Sequence, residues 1–397
     1  MTVAPSRALV AAVVSSALII AACSGGGSSN DQGAVASSAV ASGATTTAKK
    51  QQGARDVKAY EGLGGWVDVF DYVPAYQRNN TAPPVTEADI DAMAAQGVKT
   101  LYLQAARNAL DTRTPDGLVD PALFLPLLKR AHEKDMRVVG WYFPGFVDVQ
   151  SDLDRLQKIA DFSRDGERFD GLALDVEPEQ STLTLAERSV RLVDLSRRLR
   201  DAVGREALAL ILNPPVLTEV INTKSWPDFP YKELAPLFDV WMPMAYWSGR
   251  EQSSGYRDGY TYAEESVRRL RNNLGQPNAK VHLIGGVAEE GISEDQLRAF
   301  LRAVTDTDAI GASIYDYRSM SGGEWGVMRL GIKAALDAPP QPPNPTVAPK
   351  PTTTTVAVAT TAVAGGATTA PITATTTAAP ATTRSAVITV APTVPVS

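Results

Sequence analysis

Cysteine and histidine are scarce in this chain, and their scarcity excludes several kinds of site. Cys23 is the only cysteine among 397 residues, so the chain has neither an intramolecular disulfide nor a cysteine-based metal cluster. His132 and His282 are the only histidines. They lie far apart, in the helix predicted after the second strand and early in the seventh strand, which argues against a histidine metal site or a Ser-His-Asp triad. We therefore predict no metal and no other cofactor.

Nucleotide-binding and nucleic-acid-binding signals are also missing. No GxGxxG or GxxxxGK[ST] pattern follows a predicted strand, which removes the usual nucleotide-binding folds. The formal net charge is −6, and no basic stripe interrupts this mildly acidic balance. Nucleic acid is therefore not an expected partner.

An apolar run near the N-terminus has the features of a secretory signal. Residues 8–20 follow Arg7 and form an apolar stretch that is too short to serve as a membrane-spanning anchor. The run ends in Ile20-Ala21-Ala22-Cys23, which resembles a bacterial lipobox. The resemblance implies lipidation of Cys23, removal of the residues before it, and a membrane contact through the lipid on the outer side of the cytoplasmic membrane. The alternative is an ordinary signal cleavage site near an incidental cysteine.

Composition divides the chain into four segments. After the signal at residues 1–23, residues 24–56 are small and polar without periodicity, as in a flexible linker. Residues 338–397 are rich in Pro, Thr, Ala and Val and contain only Lys350 and Arg384 as charges, which predicts a disordered tail. Residues 57–337 form the predicted globular part, which we expect to be monomeric.

The globular part repeats one pattern eight times: a short apolar run, a loop and a segment of helical period. The runs lie at 62–72, 98–107, 136–146, 169–179, 208–216, 238–247, 280–291 and 309–319. Near-continuous apolar runs are typical of parallel strands that are covered on both faces. Eight alternations of strand and helix predict an α/β fold, the (β/α)8 TIM barrel, rather than an open sheet. Capping boxes are predicted for the helices that begin after Thr86, Thr184 and Ser293.

Two acids end the fourth run, "RFDGLALDVEPEQ". Asp175 and Glu177 are two residues apart, so they share one face of the strand. The carboxyl ends of barrel strands form the active-site face, where carboxylates have a chemical use. We expect Glu177 to have a raised pKa and act as general acid, and Asp175 to stay ionised, held by neighbouring donors. The alternative is a salt bridge at the barrel mouth, for instance with Arg107.

These residues resemble a known family, the chitinase-like glycoside hydrolases of family 18. The fourth-strand signature of that family is DGxDxDxE, in which Asp170, Gly171, Asp175 and Glu177 match and Ala173 stands in place of an Asp. "MPMAYW" on the sixth strand is similar to the family's Met-x-Tyr-Asp segment: Met244 and Tyr246 match, and Trp247 replaces the Asp. "GASIYDY" on the eighth strand places Tyr315 where the family has an aromatic beneath the reacting sugar.

The resemblance implies roles for three of these residues. Glu177 would protonate the glycosidic oxygen. Asp175 would orient the N-acetyl group of the substrate, which attacks the anomeric carbon in place of a protein nucleophile, and Tyr246 would hydrogen-bond to the same group. This substrate-assisted route is an exception to the usual two-carboxylate scheme.

A second interpretation keeps the barrel and changes the chemistry. Retaining barrel glycosidases carry an acid/base Glu on strand four, often before Pro, and a nucleophilic Glu on strand seven. "GGVAEEG" offers Glu289 and Glu290 for the second role, and the sequence does not decide between them. These enzymes usually carry Asn just before the acid, where this chain has Val176.

Further residues are candidates for binding the sugar. Asp68, in the first run, and Asp316, in the eighth, are expected to line the mouth, while Tyr142 and Trp247 lie near strand ends and could stack on sugar rings. The predicted function is hydrolysis of glycosidic bonds in a polysaccharide or oligosaccharide. N-acetylated sugars are among the candidate substrates. The alternative is a glycan-binding barrel without catalysis, of which Ala173 and Trp247 would be signs.

Overall fold

Eight parallel strands close into a barrel in sequence order. The computed structural model describes residues 56–76, 84–108, 117–177, 182–287 and 291–338. The strands are β1 (Gly62–Val67), β2 (Thr100–Gln104), β3 (Arg137–Tyr142), β4 (Gly171–Val176), β5 (Leu208–Leu212), β6 (Val240–Pro243), β7 (Lys280–Val287) and β8 (Gly311–Tyr315). Hydrogen bonding between β1 and β8 completes the closure. The predicted (β/α)8 barrel is therefore confirmed.

Helices connect successive strands, as the alternation predicted. They are α1 (Val69–Tyr72), α2 (Glu87–Ala95), α3 (Pro121–Glu133), α4 (Val149–Ala160), α5 (Leu185–Val203), α6 (Tyr231–Leu234), α7 (Gly259–Leu274), α8 (Glu294–Asp306) and α9 (Gly322–Asp337). Between β5 and β6 the connection is made by a π-helical turn, Leu217–Ile221, and the single turn of α6. None of the described helices is both long and apolar enough to cross a bilayer.

The strands are buried on both faces because two separate cores cover them. One core lies between the sheet and the helices. The other fills the barrel interior with side chains from alternate strand positions, among them Trp66, Tyr102, Val139, Trp141, Ala173, Ala209, Met242 and Ile284. This alternation determines which residues reach the mouth, because each inward position is followed by an outward one.

Helix starts follow the predicted capping chemistry in two of three cases. Thr86 and Thr184 each open a complete capping box with the acid three residues later. Ser293 accepts a hydrogen bond from the backbone N–H of Gln296, but the Gln296 side chain accepts from the backbone N–H of Gly259 instead of returning to Ser293. That glutamine thus connects α8 to the start of α7.

The first strand is shorter than the run that predicted it. The run continues to Tyr72, whereas β1 ends at Val67 because Asp68 caps a helical turn. Cys23 and most of the linker and of the tail lie outside the described residues. The same holds for Glu289 and Glu290, so their predicted roles stay predictions.

Candidate active site

Small residues in the lower half of β4 let its last inward residue reach the barrel mouth. Gly171 faces Tyr60, whose hydroxyl would lie 2.6 Å from a Cβ at this position. Ala173 is fully buried in the interior core. By the same alternation Asp175 is the last inward residue of the strand, and Glu177 follows directly beyond its end. Both side chains are partly exposed, as expected for groups at the mouth.

Asp175 lies in an environment that favours its protonated form. Its Oδ1 atom is buried and has no hydrogen-bond partner within the described parts of the chain. Burial, followed by the charge of Glu177, raises the pKa of Asp175 well above its usual range, and only the backbone N–H of Val176 opposes this. The several donors that were expected to hold Asp175 ionised are not found among the described residues. Two strongly coupled carboxyls of this kind retain one proton between them to a higher pH than an isolated carboxyl does.

Tyr246 places a phenol beside this pair. It follows β6 and packs against the interior core. Burial raises the pKa of Tyr246 well above 10, and the charges of Glu177, Asp175 and Asp316 add to the shift. The hydroxyl therefore stays protonated and can act as a hydrogen-bond donor. Because all three acids act on it, Tyr246 lies in the middle of the acidic mouth.

A second acidic group lies on the β8 and β1 side of the mouth. The hydroxyl of Tyr315 donates to Oδ2 of Asp68 at 2.7 Å, while Oδ1 of Asp68 accepts from the backbone N–H of Phe70 at 2.6 Å. Burial raises the pKa of Asp68, although the bond from Tyr315 opposes the shift. Burial and the charges of Asp68 and Asp316 raise the pKa of Asp71 to about 7.

Asp316 joins the two groups electrostatically. Its charge raises the pKa values of Asp68, Asp71 and Tyr246. Its own Oδ1 accepts hydrogen bonds from both the backbone N–H and the hydroxyl of Ser319, each at 3.0 Å. The structure thus brings together six of the residues singled out from the sequence: Asp68, Asp175, Glu177, Tyr246, Tyr315 and Asp316.

Tyr142 and Trp247 do not belong to this group, which corrects their predicted role. Tyr142 is fully buried, and its hydroxyl donates to Asp152 at the start of α4. Trp247 is 1% exposed and packs against Phe300, with ring centroids 5.0 Å apart. Both side chains point outward into the core beneath the helices, so neither can stack on a sugar at the mouth.

Arg188 is a residue of this site that the sequence reasoning missed. It is fully buried on α5, and its Nη2 donates to the backbone carbonyl of Glu177 at 2.6 Å. Its guanidinium lies 5.1 Å from the ring of Phe146 and 5.3 Å from that of Trp226. A signal was present, because Arg188 falls in register with the apolar stripe of Leu192, Leu195 and Leu199. A charged residue at a buried helical position indicates a specific partner.

Arg107, the suggested salt-bridge partner, lies over aromatic rings. Its guanidinium is 4.4 Å from the ring centroid of Tyr76 and 5.5 Å from that of Phe70. Among the described residues, no group of three or more His, Cys, Asp or Glu side chains is arranged to hold a metal ion. The site as described offers carboxyl groups and two phenols, which are groups that can take part in glycosidic bond cleavage and sugar binding.

Comparison with solved structures gives the same fold. The endo-1,4-β-mannanase of Rhizomucor miehei superposes with a TM-score of 0.53 at 9% identity, covering 73% of this chain and 99% of that one. A GH5_18 protein from Streptomyces cattleya, solved in complex with GlcNAc, gives 0.53 at 15% identity and covers 73% and 83%. The endo-β-1,4-mannanase of Thermotoga petrophila gives 0.52 at 11% identity and covers 71% and 78%.

At these identities the likeness shows the fold alone. No protein-family profile matches the chain, and no curated protein matches it.

Proposed function

We propose that this protein is a glycoside hydrolase that acts on a polysaccharide, with Glu177 as general acid and Asp175 as its partner. One observation carries the proposal: at the mouth of the barrel, beside Glu177, the Oδ1 atom of Asp175 is buried and has no hydrogen-bond partner among the described residues. An unpaired buried carboxylate oxygen is costly for a fold, and such groups cluster where chemistry requires them. Similarity in fold to mannanases supports a carbohydrate substrate.

The coupled pair provides a way to deliver a proton. In the free protein the two coupled carboxyls would share one proton, and burial raises the pKa of Asp175 well above its usual range. A substrate donor that bonds to Asp175 would stabilise its charged form and lower its pKa. The proton would then reside on Glu177, from which it can be donated to the leaving-group oxygen. Substrate binding would thereby produce the protonation state that the reaction needs.

The resemblance to family 18 extends this proposal to an N-acetylated sugar. An acetamido N–H is a suitable donor to Asp175, and the acetamido carbonyl can accept from Tyr246, whose raised pKa keeps the hydroxyl protonated. The acetamido oxygen would attack the anomeric carbon while Glu177 protonates the departing oxygen. No nucleophile from the protein is then required.

Two alternatives remain as second candidates. A retaining mechanism would use Glu177 as acid/base and Glu289 as nucleophile, which the sequence after β7 favours. A glycan-binding barrel without catalysis is favoured by Ala173, which stands where the family has an acid. The acidic mouth serves sugar binding in both cases.

Hydrolysis of defined oligosaccharides by the wild type and by Glu177→Gln tests the proposal. The panel contains β-1,4-linked N-acetylglucosamine, glucose and mannose tetramers. Loss of a general acid reduces the rate by about 10²–10⁴-fold, so we expect Glu177→Gln to bind the cleaved sugar and barely hydrolyse it. Glu187→Gln is the control, because Glu187 caps α5 and glutamine serves equally in a capping box.

Companion variants separate the alternatives. A severe loss in Asp175→Asn indicates the N-acetyl route. Inactivity of Glu289→Ala with rescue by azide, and a milder effect of Asp175→Asn, would indicate a retaining nucleophile instead. If the wild type and Glu177→Gln bind a glycan equally and neither cleaves it, the protein is a binding module.

We further propose that the protein is anchored outside the cytoplasmic membrane by a lipid on Cys23. The lipobox-like Ile20-Ala21-Ala22-Cys23 supports this location. Cys23→Ser should release the protein or leave its precursor unprocessed. Unchanged partitioning of this variant into membranes would contradict the anchor.

A further inference from the structure

The barrel interior buries one tryptophan whose indole N–H can be compared with that of its neighbour. Trp141 is 6% exposed and belongs to the interior core, yet its Nε1 has no hydrogen-bond partner among the residues that the structure describes. Trp66 in the same core provides a contrast. Its Nε1 donates to the hydroxyl of Ser313 at 2.8 Å, and its ring lies 6.0 Å from that of Trp141. The described part of the interior therefore supplies the indole of Trp66 with an acceptor and supplies none to that of Trp141.

The neighbouring strand presents the complementary group. β3 and β4 pair with Trp141 opposite Ala173, so Asp175 lies two residues further along the same face. Two residues span about 7 Å along a strand and adjacent strands are about 4.8 Å apart, a separation that an indole side chain bridges. Trp141 and Asp175 are the last inward residues of β3 and β4. Among the residues that the structure describes, an indole N–H and a carboxylate oxygen, both shielded from solvent and both without a partner, therefore lie on the inner face of adjacent strands.

Such a pair suits a ligand that carries both kinds of group. Burying either polar atom without a hydrogen-bond partner costs free energy. A ligand that forms hydrogen bonds to both atoms recovers both costs when it binds. A cation would suit Asp175 and not the indole N–H, whereas an anion would suit only the indole. A neutral substituent with an oxygen acceptor next to an N–H or O–H donor suits both.

We propose that Trp141 is a substrate-binding residue. Its indole N–H donates a hydrogen bond to an oxygen of one sugar substituent, and the same substituent donates a hydrogen bond to Oδ1 of Asp175. The substituent is an acetamido group or a hydroxyl, which share this donor and acceptor chemistry. This inference rests on the proposed function, because it assumes that the mouth holds a sugar. It adds a specificity-determining contact from β3, a strand from which the family resemblance assigns no residue.

Trp141→Phe tests the inference, because it keeps a six-membered aromatic ring in the core and removes the indole N–H. Binding is measured by calorimetry in the Glu177→Gln background, with the N-acetylglucosamine, glucose and mannose tetramers as probes. We expect affinity for the bound sugar to fall roughly tenfold. A loss confined to the N-acetylated tetramer identifies the acetamido group, and an equal loss for all bound sugars identifies a hydroxyl.

Thermal unfolding of the ligand-free variants gives a second readout. Both Trp141→Phe and Trp66→Phe lose packing in the core, but only Trp66→Phe also loses a satisfied donor, so Trp141→Phe should lower the melting temperature less than Trp66→Phe does. Unchanged sugar affinity in Trp141→Phe would overturn the inference and leave the proposed function intact. Binding of none of the three probes to the Glu177→Gln parent would overturn both.

Discussion

Asp175 combines a position at the mouth with an environment that opposes its charge. Because the folded protein holds the Asp175 proton more tightly than the unfolded chain does, this residue favours folding at low pH. The contribution is lost as the pH rises from the unfolded-state pKa, near 3.8, through the raised folded-state pKa. At neutral pH Asp175 therefore acts against stability, because the unfolded chain releases its proton more readily than the folded protein does, which is expected where a site is built for function.

Asp175→Asn should accordingly stabilise the protein while it impairs activity. The amide resembles the protonated acid in shape and carries no charge, so we expect the free energy of unfolding to rise by about 1 kcal/mol at pH 7 and much less at pH 4. Chemical denaturation at the two pH values measures this.

Asp170→Asn is the control for this prediction. Burial of Asp170 is outweighed by hydrogen bonds from His132, the backbone of Val138 and Arg137, so its pKa is lowered and the same substitution should destabilise the protein. Equal effects of the two substitutions would contradict the assignment of Asp175 as an unpaired group.

At the scale of elements, α5 holds the end of β4 through one buried arginine. Arg188 bonds to the carbonyl of Glu177 and is enclosed by aromatic rings. We expect Arg188→Met, which fits an apolar slot, to lower kcat at least tenfold with little change in KM, because a misplaced acid affects the transition state more than ground-state binding. Arg188→Lys should restore part of kcat.

Arg200→Met on the same helix is the matched control. Arg200 is also buried, and it bonds to the carbonyl of Leu237 and the carboxylate of Asp239, away from the mouth. This variant should lose stability and keep its kcat per folded molecule. Equal kinetic losses in both variants would show that Arg188 acts through stability alone.

α3 is joined to the loop before β4 by a charged histidine. His132 contacts Oδ2 of Asp170 at 2.9 Å through Nε2, and its Nδ1 contacts Glu167. The bond to Asp170 is the largest cause of a raised His132 pKa, with Glu167 adding to it. The interaction therefore stabilises the fold fully below pH 6.5 and is lost as the pH rises through the folded-state value. At strongly acidic pH it is lost again, because the lowered pKa of Asp170 is crossed.

His132→Gln should reveal the pH range in which the charged His132 stabilises the fold. We expect the wild type to be more stable than the variant by about 1 kcal/mol near pH 5.5, with a difference that shrinks towards pH 9. Denaturation curves across this range measure it. Lys333→Gln, which removes an exposed ion pair with Asp337, should show almost no difference at any pH. A pH-independent effect of His132→Gln would contradict a charged histidine.

At the scale of the whole molecule, the barrel is expected to be the only stable folding unit. Its elements run from Lys58 to Asp337, and β1 pairs with β8, so closure needs both ends of this range. Limited proteolysis should remove residues on either side and leave one resistant core, identified by mass spectrometry. Accumulation of two stable halves would contradict the prediction.

The sequence determines this fold more completely than it determines the site. Eight apolar runs separated by helical periods predict eight strands, and a count of eight favours closure into a barrel over an open sheet. A run that is buried on both faces has no polar alternation, however, so it does not show which residues point inward. That information comes from pairing with neighbouring strands, as when Trp141 lies opposite Ala173.

Tyr142 and Trp247 were wrongly predicted to bind sugar because the sequence does not show which residues of a strand point inward. Trp141 and Tyr246 take the inward positions, so the residue that follows each of them must point outward. Asp175 and Glu177 were easier to place, because two acids with one residue between them share a face in any register. The proton distribution between them could not be predicted, since it depends on which oxygen the folded barrel leaves without a donor.

Trp247 lies in a slot lined by glycines. A Cβ added to Gly285, Gly286 or Gly259 would lie 2.9, 3.2 or 3.3 Å from its indole ring. In evolutionary terms these positions form an epistatic set. An acid at position 247, as in the family that the chain resembles, would leave both a cavity and a buried charge. Filling that cavity from the glycine positions needs further changes, because a Cβ at Gly285 would also lie 2.5 Å from Cδ1 of Ile314 and one at Gly259 would lie 2.7 Å from the backbone oxygen of Gln296.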